Sequence, residues 1–131
     1  MTTFYLDSSA ITKLVIAEEG SSDMRALIVD ASLVTSRVAV VEVAKAVARV
    51  APDVDTAAVF EAIACIELDE DLARQAGTTG DPTLRALDAI HVASASLIAD
   101  EIDAFITYDM RQAAAARSAG LRVRSPGETE A

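Results

Sequence analysis

Four acidic residues stand at places where packing alone does not explain a carboxylate. Asp7 and Asp109 each follow a short apolar run that has the pattern of a strand and precede a helical pattern. Glu42 and Asp88 lie inside helical patterns that are otherwise rich in Val, Ala and Leu. A charge buried on an apolar helix is strongly destabilising unless it is paired, bound to a metal or neutralised. The four carboxylates are therefore candidates for one shared site.

The chemistry that suits such a group is the binding of a divalent cation. Four carboxylates within ~5 Å of one another would repel by ~3 kcal/mol per adjacent pair at an effective dielectric of about 20. Summed over the group, this repulsion approaches the ~5 to 15 kcal/mol stability of a whole domain. Oxygen ligands without thiolates or several imidazoles favour Mg²⁺ or Mn²⁺ over zinc. We therefore expect the four acids to hold Mg²⁺ or Mn²⁺.

Each acid also has a simpler explanation. The two strand-end aspartates could serve only as helix N-caps. Lys45 follows Glu42 by three residues and Arg85 precedes Asp88 by three, so both helical acids could form ordinary ion pairs on a helix surface. Neither explanation accounts for all four positions together.

Strands and helices alternate along the chain, and this order would bring the acids together. Strand patterns cover residues 4–6, 33–35, 66–68, 105–107 and 121–123. Helical patterns cover residues 8–17, 24–31, 37–50, 55–65, 72–76, 84–100 and 111–119. This alternation predicts an α/β fold with a central parallel sheet of four to five strands and helices on both faces. Binding sites in such sheets form outside the carboxyl ends of the strands, where two of the acids stand.

Length and composition predict one domain with a core of small aliphatic side chains. The chain has 131 residues, of which 52% are hydrophobic and only 4% aromatic. We expect a single folded domain at residues 1–124 and a flexible C-terminal tail at residues 125–131. The single cysteine, Cys65, lies in an apolar run that we assign to the core, and a lone cysteine fits a reducing cytoplasm. No membrane segment or secretion signal is expected.

The overall charge opposes a nucleic-acid partner. The formal net charge is -10 and the isoelectric point is about 4.4, whereas binding to phosphate backbones normally relies on basic surface. This objection weakens if cations cancel the negative charge at the acidic group and if basic residues surround it.

The chain resembles the PIN-domain ribonucleases, and in particular the VapC-type toxins of bacterial toxin-antitoxin pairs. The matching segments are residues 4–10, 41–43, 84–91 and 106–109, which follow one another in the family's order and span nearly the whole chain. In that family the acids at the positions of Asp7, Glu42, Asp88 and Asp109 form the metal-binding catalytic centre. The residues at the positions of Ser8 and Thr107 often support it.

The resemblance implies a metal-dependent endoribonuclease that leaves 5′-phosphate and 3′-hydroxyl ends. Metal ions would activate a water, orient it in line with phosphorus and stabilise the leaving oxygen. It also implies a cognate antitoxin with a basic segment that enters the site, and a homodimer, which a face with Met24, Leu27 and Ile28 could support. Candidate contacts to RNA phosphates are Lys13, Arg37, Arg85 and Arg111.

Two other functions remain open. A phosphoacceptor signalling domain also places acids at strand ends around Mg²⁺, and a catalytically inactive binding module could keep the same acids. His91, one helical turn after Asp88, could orient that carboxylate, ligate a metal or simply pack in the core. A metal-free mechanism through the ribose 2′-hydroxyl would need paired acid and base groups, and the chain has one histidine.

Overall fold

The computed structural model describes residues 1–128 as a single α/β fold. Its strands are β1 (Thr3–Leu6), β2 (Ser32–Ser36), β3 (Ile63–Ile66), β4 (Ala104–Ile106) and β5 (Val123–Arg124). Its helices are α1 (Ser8–Val15), α2 (Ser21–Leu27), α3 (Val38–Ala48), α4 (Glu70–Ala76), α5 (Ala86–Leu97) and α6 (Met110–Ser118), with a 3₁₀ helix at Ala57–Ala62. Within residues 1–128 no helix has the length and apolar character to cross a bilayer.

The five strands form one sheet in the order β3-β2-β1-β4-β5, and each neighbouring pair is parallel. The predicted α/β class with a parallel sheet is therefore confirmed. After β1 the chain adds β2 and β3 on one side, and then returns to add β4 and β5 on the other. The reversal lies between β1 and β4, so the segments that follow these two strands meet at the same edge of the sheet.

Helices cover both faces because side chains alternate along the strands. Phe4 and Leu6 of β1 belong to a core shared with α1, α2 and α3. Tyr5, between them, points to the other face and packs with residues of α5 and α6. Nearly continuous burial of β1 and β4 is typical of parallel strands that are covered on both sides.

Strand β3 lies at Ile63–Ile66 rather than at the predicted residues 66–68. The chain before it forms a 3₁₀ helix that ends at Ala62, so the predicted helix towards Cys65 is wrong at its end. Short apolar runs are ambiguous between helix and strand, and pairing with β2 from Leu33 to Ser36 decides the outcome here. Cys65 is only half-buried on this edge strand, and desolvation raises the pKa of its thiol.

The predicted tail begins with two residues that pack against the body. The Ser125 hydroxyl donates to the carbonyl of Thr107 at 2.6 Å, and the Tyr108 hydroxyl donates to the carbonyl of Pro126 at 2.6 Å. Pro126 is buried. The folded body therefore reaches at least Pro126, while residues 129–131 of the predicted tail lie outside the described residues.

The face proposed for dimer contacts packs inward. Met24 is fully buried in the core beneath α1, and Leu27 and Ile28 are partly buried against the same core. These side chains therefore pack within a single chain, and the predicted homodimer would have to use another surface.

Candidate active site

All four acids line one cavity of about 850 Å³ at the carboxyl edge of the sheet. Asp7 follows β1, Glu42 comes from α3, Asp88 from α5, and Asp109 immediately precedes α6 as its N-cap. Four separate segments of the chain thus each contribute one carboxylate to the lining of the same cavity. The cavity is the place at which the reversal of strand order predicts a site.

Asp7 is almost completely buried and its carboxylate is well supplied with hydrogen-bond donors. Its Oδ1 accepts from the Ser9 hydroxyl at 2.7 Å and from the Ala10 amide at 3.0 Å. Its Oδ2 accepts from the Thr107 hydroxyl and, at 3.4 Å, from the Gln112 side-chain amide. Desolvation nevertheless raises the pKa of Asp7, because burial disfavours the charged form. Asp7 is thus both the N-cap of α1 and a member of the acidic cavity.

Ser9, in the first turn of α1, donates its hydroxyl to Asp7. The Ser9 hydroxyl also accepts from the Tyr108 amide at 2.9 Å, which ties the start of α1 to the end of β4. Ser8, the residue predicted for a supporting role, lines the cavity beside Ser9. Thr107 contacts Asp7 directly and accepts from the Asp109 amide at 3.1 Å. Its position fits the supporting role that the sequence predicts.

Asp88 and Asp109 share one guanidinium. Arg85 donates from Nε to Asp88 Oδ2 at 2.9 Å and from Nη2 to Asp109 Oδ2 at 2.9 Å. The other oxygen of Asp109 caps α6 by accepting from the amides of Arg111 at 2.8 Å and Gln112 at 3.0 Å. The helix ion pair considered for Asp88 is therefore present, and Arg85 also pairs with Asp109, which lies 24 residues after Arg85 in the sequence.

Glu42 contacts His91 and not Lys45. His91 Nε2 lies 2.6 Å from Glu42 Oε1, and His91 Nδ1 lies 2.8 Å from the Tyr5 hydroxyl. The imidazole is fully buried, so it is both packed in the core and bonded to a site carboxylate, although that carboxylate is Glu42 rather than Asp88. Burial raises the pKa of Tyr5 well above its usual value, which keeps its hydroxyl protonated.

Two of the predicted phosphate contacts have other partners. Lys13 donates to Glu18 at 3.3 Å and lies 4.5 Å from the centre of the Tyr108 ring. Arg37 forms a bidentate ion pair with Glu67: its Nε lies 3.0 Å from Oε1 and its Nη2 lies 2.6 Å from Oε2. The lining of the acidic cavity includes neither Lys13 nor Arg37.

Other basic residues surround the acids more closely. Lys45 and Arg49 line the acidic cavity together with Arg85. Arg111 lines a neighbouring cavity of about 700 Å³, which shares Arg85 with the first. Glu42, Lys45 and Arg49 are spaced by three and four residues, and helical periodicity puts side chains at such spacings on one face. That spacing could have identified Lys45 and Arg49 from the sequence.

As the side chains stand, no three of the Asp, Glu, His or Cys residues within 1–128 enclose a possible metal position. The predicted crowding of the acids is therefore not observed. Each acid instead contacts a hydrogen-bond donor of the protein, and Asp88 and Asp109 share the guanidinium of Arg85.

The donor set itself suits Mg²⁺ or Mn²⁺, because it consists of carboxylate oxygens and one amide oxygen. That amide oxygen is Gln112 Oε1, which is buried and has no hydrogen-bond partner among the described residues. Gln112 also lines the acidic cavity. No pattern in the sequence pointed to it, although it lies three residues after Asp109, within the first turn of α6.

Comparisons with known proteins agree with this architecture. The PIN domain family model matches residues 4–118. Ribonuclease VapC47 of Mycobacterium tuberculosis is 36% identical over an alignment that covers 94% of this chain and 96% of that protein. Ribonuclease VapC35 of the same organism is 32% identical, with 95% and 97% covered.

A solved structure supports the fold independently of sequence similarity. The crystal structure of Mycobacterium tuberculosis VapC20, a sarcin-ricin loop cleaving toxin, matches with a TM-score of 0.70 at 15% identity. The match covers 86% of this chain and 94% of VapC20. From the family model over residues 4–118 and from the two similar ribonucleases, the chain belongs to the PIN domain family, among its VapC-type members.

Proposed function

We propose that this chain is a toxin endoribonuclease that depends on Mg²⁺ or Mn²⁺ and leaves 5′-phosphate and 3′-hydroxyl ends. One observation carries the proposal: four carboxylates from four different elements line one cavity at the carboxyl edge of the sheet. The ribonuclease names of its relatives point to the same activity. We assign the metal-binding and catalytic roles to Asp7, Glu42, Asp88 and Asp109.

The bound metal would supply an activated water and charge stabilisation at the scissile phosphate. The protein's own residues hold the carboxylates in place for this purpose. Thr107 and Ser9 orient Asp7 through their hydroxyls, and His91 orients Glu42. Because His91 is fully buried and bonded at both nitrogens, it is not free to exchange protons with a ribose hydroxyl. This supports hydrolysis at the acidic cavity over a route through the 2′-hydroxyl.

The local charge around the acids makes RNA an acceptable substrate despite the net charge of -10. Lys45, Arg49 and Arg85 line the same cavity as the four acids. Cations bound by the acids would leave these three side chains as a basic surround, which suits phosphate contacts. We propose them, with Arg111 in the adjoining cavity, as the main contacts to the RNA backbone.

The cavity also suits the basic segment of an antitoxin. Such a segment could place a guanidinium against the acids, as Arg85 does within the chain. Val41 and Leu87 line the cavity with 62% and 46% of their surfaces exposed, and they offer apolar contacts beside the acids. We propose an antitoxin as the physiological partner, a homodimer as the assembled form, and the cytoplasm as the place of action.

The activity is tested by incubating the full-length chain with a pool of RNA in Mg²⁺, in Mn²⁺ or in chelator. We expect cleavage only with metal, and fragments whose 5′ ends are phosphorylated. Asp88→Asn should abolish cleavage, while Asp53→Asn, which removes an exposed acid outside the cavity, should keep it. Cleavage by the Asp88→Asn protein would instead reveal a contaminating nuclease. Stable phosphorylation by acetyl phosphate without cleavage would favour the phosphoacceptor function.

A further inference from the structure

A single guanidinium connects two of the four acids. Arg85 lies just before α5, in an extended backbone conformation that lets its side chain reach across to the start of α6. Its Nε and Nη2 each lie 2.9 Å from an Oδ2 atom, one on Asp88 and the other on Asp109. An ordinary helix pair three residues apart would explain the contact with Asp88 alone.

The burial of the three side chains is unequal. The Arg85 side chain is 59% exposed, whereas those of Asp88 and Asp109 are 10% and 33% exposed. Arg85 is therefore the member of this group that can move into solvent without disturbing the core. A divalent cation that binds both Oδ2 atoms would need the space and the lone pairs that Arg85 now uses. The guanidinium and the metal cannot occupy that position together.

We propose that Arg85 is an internal counterion that bridges Asp88 and Asp109 in the metal-free protein and is displaced when the metal binds. The inference rests on the proposed metal-dependent function. Arg85 weakens the apparent metal affinity, because each metal ion must first break two charge-assisted hydrogen bonds. It also keeps the empty site folded by relieving the repulsion between the two acids.

Displacement gives Arg85 a second position. Arg85 lines both the acidic cavity and the neighbouring cavity that contains Arg111. A guanidinium released from the acids therefore faces a groove that already presents another arginine. There it can bind an RNA phosphate, so that substrate and metal both favour the displaced state.

The test is Mn²⁺ binding by calorimetry to the wild type and to Arg85→Gln, Arg85→Lys and Arg117→Gln proteins. Arg85→Gln should bind Mn²⁺ about tenfold more tightly, because the metal no longer competes with the two contacts of Arg85, which are weak where the side chain is 59% exposed. Arg85→Lys should fall between this variant and the wild type, because an ammonium lacks the planar fork that bridges two carboxylates. Arg117→Gln removes an equal charge from the exposed surface of α6, outside both cavities, and should stay within about twofold of the wild type.

Thermal melting in chelator and in Mn²⁺ completes the test. Arg85→Gln should melt below the wild type in chelator and show the larger rise on adding Mn²⁺. If the wild type binds no Mn²⁺, the proposed function itself fails. If the wild type binds Mn²⁺ and Arg85→Gln binds it equally or more weakly, the counterion role is wrong, and in the weaker case Arg85 instead prepares the acids for the metal.

Discussion

The Tyr5 hydroxyl and His91 Nδ1 lie 2.8 Å apart in the core, 86 residues apart in sequence. The other ring nitrogen of His91 lies 2.6 Å from Glu42 Oε1. An ionised carboxylate can only accept, so Nε2 donates; in the neutral imidazole Nδ1 then accepts the Tyr5 hydrogen. The Tyr5 ring is itself held by stacking on Phe105 at a centroid distance of 5.0 Å. Tyr5 on β1 therefore fixes the orientation of Glu42 through His91.

Tyr5→Phe should disturb the site from a distance. It leaves His91 Nδ1 buried without a donor, and an unsatisfied buried group costs about 1 to 3 kcal/mol of unfolding free energy. We expect that loss in urea unfolding, together with weaker Mn²⁺ binding because Glu42 is less firmly oriented. Tyr108→Phe is the matched control, since it removes a hydroxyl whose contact is the Pro126 carbonyl. Equal effects of both variants on Mn²⁺ affinity would contradict the connection through His91.

Asp7→Asn should stabilise the metal-free protein near neutral pH. Because desolvation raises the pKa of Asp7 in the folded state, its contribution to stability is present below the unfolded pKa of about 3.9 and is lost as the pH rises through the folded value. Asparagine cannot ionise, so the variant lacks the cost of charging this buried side chain, a cost that grows as the pH rises. We expect the variant to gain about 1 kcal/mol in chelator at pH 7.5, and the gain to shrink towards pH 4.

Asp69→Asn is the control for helix capping in that experiment. Asp69 caps α4 as Asp7 caps α1, by accepting from the amide three residues later at 2.8 Å. It lies outside the acidic cavity, and Asn caps nearly as well as Asp. A pH-independent gain in Asp7→Asn, or the same gain in Asp69→Asn, would show that the buried charge is not the cause. Asp7→Asn should also lose the rise in melting temperature that Mn²⁺ gives the wild type.

Gln112→Met should raise the metal-free stability and lower the affinity for metal. Gln112 Oε1 is buried and lacks a partner among the described residues, and methionine fills a similar volume without that oxygen. We expect a gain of about 1 kcal/mol in chelator and weaker binding of Mn²⁺. Gln75→Met on the exposed face of α4 should change neither quantity. A loss of stability in Gln112→Met would indicate that the contact with Asp7 outweighs the unpaired oxygen.

Lys45→Gln combined with Arg49→Gln should weaken RNA binding and reduce its dependence on salt. For single strands each lost phosphate contact lowers the slope of log K against log salt by about 0.7, so the pair should lower it by about 1.4. Fluorescence anisotropy with Mn²⁺ in an Asp88→Asn background measures binding without the expected cleavage. Arg25→Gln, a charge on α2 outside the acidic cavity, should leave the slope nearly unchanged. Equal slopes in all variants would remove Lys45 and Arg49 from the proposed RNA contacts.

The four acids could be predicted from the sequence because their positions follow from local patterns. A parallel sheet gathers the carboxyl ends of its strands at one edge, so Asp7 and Asp109 had to lie near each other once the strands were assigned. Glu42 and Asp88 stood out because a charge on an apolar helix needs compensation. Local patterns also predict the Arg85–Asp88 pair and the capping roles of Asp7 and Asp109, but they do not reveal the contact of Arg85 with Asp109 or that of His91 with Glu42.

The remaining site residues depend on contacts between distant segments. Ser9, rather than Ser8, contacts Asp7 because the amide of Tyr108 lies against its hydroxyl. Tyr5 contacts His91 only because β1 and α5 meet across one face of the sheet. The predicted strand at residues 66–68 was misplaced for a similar reason, since pairing with β2 selects Ile63–Ile66. Such choices are made by packing and not by propensity.

The pairing of β1 with β4 has a consequence for biosynthesis. Phe4 lies beside Ala104, and Asp7 receives bonds from Thr107 and Gln112, which are 100 and 105 residues away. Closing so long a loop is slow, and it stabilises the chain only after β4 has been made. A nascent chain on the ribosome therefore carries Asp7, Glu42 and Asp88 before it can assemble them, and the four acids meet only after Asp109 has been made.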